Sequence, residues 1–144
     1  MWWGRRAHID TSSVKLPRAL AHRPSFSGES LLTRADADLA LSAETLGSAA
    51  NHYLAGHDPR DPLASPLYAE LAGLPPIHIH VGDDEVLLDD AVRFVERAVD
   101  AGVDARLDIW QGMLHVFAIS VGRLNAATRA LDAVGAFLAR HLEG

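Results

Sequence analysis

From residue 42 onward the spacing of apolar residues switches between the period of a helix and that of a strand. Leu46, Ala49, Ala50 and Tyr53 recur at helical spacing behind Ser42, a residue type that caps helix N-termini. Gly56 stands where such a helix would end, which predicts a helix over about Ala43 to Leu54. Ile77-His78-Ile79-His80-Val81 is short, β-branched and bounded by Pro75-Pro76 and Gly82, the signature of a strand. Val92, Val95, Ala98 and Val99 then share one helical stripe, with Asp89 or Asp90 placed to cap it and Ala101-Gly102 to close it. Val103, Ala105, Leu107 and Ile109 alternate with Asp104, Arg106 and Asp108, the period of a half-buried strand suited to a sheet edge. Leu124, Ala127, Leu131, Val134 and Leu138 predict a last helix, about Leu124 to His141, lying on the sheet. Strand, helix, strand, helix in this order predicts an α/β fold with parallel strands, flanking helices and right-handed crossovers.

Upstream of these elements the pattern weakens. Residues 56–66 contain Pro59, Pro62 and Pro66, which forbid regular structure and favour a stiff, ordered loop over a flexible linker. Residues 1–23 show no apolar period and read as a divergent, poorly ordered leader, which leaves residues 24–144 as the folded part. Charge divides at the same place. Five basic residues (Arg5, Arg6, Lys15, Arg18 and Arg23) face Asp10 alone before Pro24, whereas eight basic and eighteen acidic residues follow it. A body with a formal charge of −10 disfavours nucleic acid as a partner. The absence of cysteine rules out a disulfide framework, a thiolate nucleophile and Cys-based metal sites. No run reaches the roughly 18 apolar residues of a membrane span, and no apolar stretch follows the first Arg pair to form a signal peptide, so the expected address is the cytoplasm.

The candidate chemistry lies after the two strands. Gly82-Asp83-Asp84-Glu85 follows the first, and Gly112-Met113-Leu114-His115-Val116-Phe117 follows the second, thirty positions later. Functional groups of parallel sheets collect at the carboxyl ends of strands, and neighbouring strands lie about 4.8 Å apart, so side chains on these two loops can meet. A carboxylate holding one imidazole nitrogen would fix the tautomer and leave the other nitrogen to take a proton from a serine. No Gly-x-Ser-x-Gly turn occurs in the 144 residues. Gly47-Ser48-Ala49-Ala50 holds the nearest serine in a small-residue setting, but it falls inside a predicted helix and lacks the second glycine.

Several stretches, in order, resemble the C-terminal portion of the hormone-sensitive-lipase-like branch of the α/β hydrolases, which are carboxylesterases and lipases. They are Ser27-Gly28-Glu29-Ser30, Tyr53-Leu54, residues 58–66, Leu74-Pro75-Pro76, residues 81–90 and residues 112–117. The resemblance implies a partial α/β-hydrolase fold and a triad ordered serine, acid, histidine. It assigns the acid to Glu85, which precedes Val86-Leu87-Leu88-Asp89, with Asp84 in reserve, and the base to His115. Asp83 is left as a solvated turn residue. The resemblance implies a small-molecule ester as substrate and no cofactor. The family's oxyanion loop, nucleophile elbow and cap helices belong to an N-terminal half with no counterpart here, so the chain alone is expected to be inactive.

Three further readings stay open. The chain is a truncated or frameshifted gene product whose first residues are not homologous in frame. Alternatively it is a non-catalytic binding module, or a subunit completed by a partner chain, with an unpaired edge of the Ile77–Val81 strand open to self-association. Thirdly, His78-x-His80 with Asp83 or Asp84 could bind a metal, although two histidines at that spacing are a weak signal and no metal is expected. Tyr53, Trp110 and Phe117 read as core rather than as the wall of a pocket.

Overall fold

The computed structural model describes Arg6–Ala7 and residues 28–142. In chain order the elements are β1 (Arg6–Ala7), α1 (Ser30–Thr33), α2 (Ala43–Leu54), β2 (Ile77–Gly82), α3 (Leu88–Asp100), β3 (Ala105–Trp110) and α4 (Asn125–Leu142), with short 3₁₀ turns at Pro66–Tyr68 and Phe117–Ser120. β2 and β3 pair in parallel, with His80 opposite Asp108 and Gly82 opposite Trp110. This is the α/β architecture of parallel strands and flanking helices that the hydrophobic pattern predicts. Apart from β1, the stretch read as a leader lies outside the described residues, as does Ser27.

β1 corrects one expectation. It pairs antiparallel with the end of β3, Arg6 opposite Trp110 and Ala7 opposite Ile109. The described sheet therefore runs β1-β3-β2, with β3 in the middle rather than at an edge. The alternation in β3 misled because its polar face is covered: Asp108 is only 6% exposed. On that side the Phe137 ring of α4 stands edge-on to His78 at 5.5 Å.

Successive strand residues face opposite sides of a sheet, and the two apolar cores follow from that. Ile77 and Ala105 face α3, where Leu71, Ala98 and Val103 are buried with Phe94 and Ala101 against them. Trp110 faces α4, where it packs with Phe117, Ala127 and Ala130. The contact face of α4 differs from the expected stripe, since Leu131 and Leu138 stay 51% and 45% exposed. The small side chains of Ala127 and Ala130 bring the helix close to Trp110 and Phe117, and that approach turns the leucines outward.

At the start of α2, Ser42 caps as expected: its Oγ accepts from Thr45 N while Thr45 Oγ1 accepts from Ser42 N, a reciprocal box. The helix ends at Leu54 as expected, with Ala55 in the left-handed conformation at φ 47° and Gly56 following at 90°. No residue of α2 is buried, and Tyr53 is 74% exposed rather than in a core. The proline-rich loop is stiff for a visible reason. Asp58 and Asp61 side chains accept from Arg60 N and Leu63 N, and buried Ser65 donates its hydroxyl to Pro59 O at 2.8 Å.

Ala98 has no exposed surface and sits between Leu71 and Val103. Ala98→Leu should lower the unfolding free energy by about 1–3 kcal/mol through overpacking, read as a lower urea midpoint at unchanged slope.

Candidate active site

β2 ends at Gly82, and the chain turns through Asp83 and Asp84 to bring Glu85 back beneath its own turn. Glu85 is 4% exposed, so its carboxylate requires donors. One is local: Gly82 N donates to Oε1 at 2.6 Å. The other crosses thirty residues, where His115 Nδ1 lies 2.9 Å from Oε2. An ionised carboxylate only accepts, so Nδ1 carries the proton and Nε2 keeps the lone pair. The His115 side chain retains 30% of its exposure against 6% for Glu85. The imidazole is thus anchored at one nitrogen and stays partly exposed.

Backbone geometry holds the two loops together. Gly112 N donates to Asp83 Oδ1 at 2.6 Å, Asp83 N to Trp110 O at 3.1 Å and Asp84 N to Met113 O at 3.3 Å. Gly82 is required for this approach, since a Cβ there would collide with the Met113 carbonyl. Directly after His115, Val116 takes a left-handed φ of 54°, a conformation that β-branched residues rarely adopt. Strain of that kind persists only where surrounding contacts impose it.

The acidic turn is also held from the N-terminal side. Ser30, 2% exposed, donates its hydroxyl to Val86 O at 2.7 Å and accepts from Asp89 N at 3.1 Å, while Ser30 N donates to Asp89 Oδ2 at 2.7 Å. Asp38, 7% exposed, accepts from Val86 N through Oδ2 and from Ala40 N and Leu41 N through Oδ1. Burial pushes the Asp38 carboxyl up, but the three backbone N–H donors and the nearby His115 outweigh it and hold the group below the usual carboxylate range.

Of the residues singled out in the sequence, the fold brings Glu85 and His115 into contact, while Asp84 contributes its backbone N–H. Asp83 is half-buried and tied to Gly112, which corrects its reading as a solvated turn residue. Asp89 and Asp90 do not cap α3: the cap residue is Leu87, which makes no side-chain bond, and the two carboxylates lie in the first turn. Asp89 serves α1 instead, and Asp90 pairs with Arg93 at 3.3 Å. Ser48 is exposed within α2, and among the described residues no serine hydroxyl bonds to His115. His78 and His80 cluster with Asp108, not with Asp83 or Asp84. Asp38 escaped the sequence reading altogether. Its Asx-type bonds to Ala40 and Leu41 are visible in the local pattern, but nothing local points to Val86 across 48 residues.

A parallel β2–β3 pair flanked by helices, with an acid and a histidine joined at its carboxyl end, defines a hydrolase-type α/β domain. Residues 13–119 match the family described as alpha/beta hydrolase fold, and the chain belongs to that family. The match begins inside the stretch that composition sets apart as a leader. The chain is 42% identical over 111 residues to an acetyl-hydrolase of Streptomyces hygroscopicus, covering 77% of this chain and 37% of that one. It is 37% identical over 113 residues to an esterase of Acinetobacter venetianus, covering 78% and 37% respectively. Among solved structures it resembles an esterase from the bacterial hormone-sensitive lipase family, with a TM-score of 0.79, 44% identity and coverage of 81% of this chain and 39% of that one. EstE5 gives 0.79 at 39% identity, covering 83% and 40%. The chain therefore spans well under half the length of these relatives.

Asp38 carries a pH signature. A depressed carboxyl contributes stability above its unfolded value, about 3.9, and that stability is lost as pH falls through the lower folded value. Asp38→Asn should cost about 1–3 kcal/mol at neutral pH. Its urea midpoint should also change less than that of the parent between about pH 6 and about pH 3.

Proposed function

We propose that Glu85 and His115 are the acid and base of a serine carboxylesterase site acting on small-molecule carboxylic esters. Within this proposal the nucleophile and the oxyanion donors come from residues outside these 144. The observation that carries the reading is the 2.9 Å bond from His115 Nδ1 to a buried carboxylate, which leaves Nε2 unbonded to Glu85 on a partly exposed ring. In the reaction, Nε2 takes the proton of the serine as its oxygen attacks the ester carbonyl, and returns it to the leaving alcohol. Glu85 fixes the tautomer and stabilises the imidazolium formed between those steps. The esterase and acetyl-hydrolase names of the relatives support the substrate class. Within the same proposal the chain acting alone does not turn esters over, since among the described residues no serine hydroxyl bonds to His115.

The chain by itself should hydrolyse p-nitrophenyl butyrate no faster than buffer. A chimera supplying the residues that precede the matching region in the Streptomyces hygroscopicus acetyl-hydrolase should hydrolyse it. His115→Ala in that chimera should remove on the order of 10⁴-fold or more of kcat, and Glu85→Gln a comparable or smaller share. Turnover by the chain alone, or an active His115→Ala chimera, would end the proposal.

One observation favours a second reading, a chain that works as a subunit or binding module: β2 lies at an edge of the described sheet. Exposed strand edges recruit other strands. Light scattering should then find a dimer or a larger assembly rather than a monomer. A cytoplasmic site of action is also part of the proposal. Among the described residues no helix is long and apolar enough to cross a membrane, and cell fractionation tests the address.

A further inference from the structure

The strand bodies carry a second polar cluster, upstream of the loops that hold Glu85 and His115. His78 and His80 lie two apart on β2 and share one face of the sheet. Asp108 of β3 is the direct register partner of His80, so its side chain rises on that face. His78 Nε2 is 3.1 Å from Asp108 Oδ2, and His80 Nδ1 is 3.8 Å from the same oxygen. One potential ligand atom from each of the three residues falls within 4.8 Å of the others. The side chains are 8%, 10% and 9% exposed, so this is a buried group and not a solvated patch.

We infer that His78, His80 and Asp108 form a binding site for a divalent first-row transition ion, for which zinc is the probe. Two imidazoles and a carboxylate are a donor set that such ions take readily. Nitrogen and oxygen ligands at about 2.0–2.1 Å in tetrahedral geometry stand roughly 3.3–3.4 Å apart. The two separations at Asp108 Oδ2 bracket that value, so small side-chain rotations would close the set. His80 Nδ1 accepts from Trp110 Nε1 at 3.0 Å, so this nitrogen is unprotonated, and its lone pair passes to a metal when the indole bond is given up. His78 Nδ1, the ring nitrogen that does not face Asp108, is buried without a hydrogen-bond partner. The ion would clip β2 to β3 beneath α4 and draw His80 away from the Trp110 indole.

The test is a zinc titration of the chelator-treated full chain, followed by calorimetry and by tryptophan fluorescence. One zinc per chain is expected, with a fluorescence change that disappears in Trp110→Phe. His78→Gln and Asp108→Asn should each weaken binding by at least the tenfold to hundredfold or so that loss of an outer-shell partner costs. His52→Ala, which removes an exposed histidine, should leave it unchanged. Asp108→Asn risks misfolding, so His78→Gln, checked against the parent by circular dichroism, decides alone if Asp108→Asn does not fold. Absence of saturable one-to-one binding overturns the inference, and so does binding that survives a folded His78→Gln or is lost in His52→Ala.

Discussion

A buried carboxylate has to find donors, and Glu85 finds them on both sides of its own turn. Gly82 N donates to one oxygen and His115 to the other. Leaving such a group unpaired costs several kcal/mol, roughly the net stability of a small domain. The geometry that avoids this penalty also determines how the loops after β2 and β3 must lie. Parallel pairing sets the spacing between the strand ends, and a residue without a side chain at Gly82 lets the Met113 carbonyl come in against it. The strained backbone at Val116 follows from the same demand, because the chain must reverse directly after presenting His115.

Around this pair the acidic turn acts as a junction. Asp83 and Asp84 bind the loop after β3 through Gly112 and Met113, while Val86 and Asp89 bind the segment that begins at Gly28 through Ser30 and Asp38. The depressed Asp38 carboxyl places a second negative charge near His115. An imidazolium formed at His115 is therefore stabilised by Glu85 through a hydrogen bond and by Asp38 through space. Charge stabilisation of this kind, held in place beforehand, is what the proposed role of His115 as a general base requires.

How much could be read beforehand depended on whether each feature was local. Helix α2, strand β2 and the end of α3 at Ala101-Gly102 were legible, because period, cap and terminator lie within a few residues of each other. Strand order brought the acidic turn from Asp83 to Glu85 near His115, since the carboxyl ends of adjacent parallel strands meet, and the family resemblance selected Glu85 among the three. What failed was long-range or depended on what covers a face. Asp89 looked like a cap for its own helix and instead serves α1, 59 residues away. Asp108 looked like the solvent side of an edge strand, but α4 and β1 were invisible to a local reading of the strand. The leucine stripe of α4 gave way to Ala127 and Ala130, because close packing against Trp110 rewards small residues.

The segment from Gly28 to Ser65 is joined to the sheet in a different manner from α3 and α4. Those helices bury Val95, Ala98, Ala127 and Ala130, whereas α2 buries nothing and Leu32, Leu39, Tyr53 and Leu63 remain between 74% and 91% exposed. The attachment runs through Ser30 and Asp38 hydrogen bonds to Val86 and Asp89. A link made of a few buried polar bonds is directional and fixes register, but contributes about 1 kcal/mol per bond, well short of what a packed face supplies. The acidic turn therefore does two jobs with one set of backbone groups: it orients His115 and it anchors this segment. Loss of either partner would loosen both, which couples the order of the N-terminal segment to the geometry of the Glu85–His115 pair.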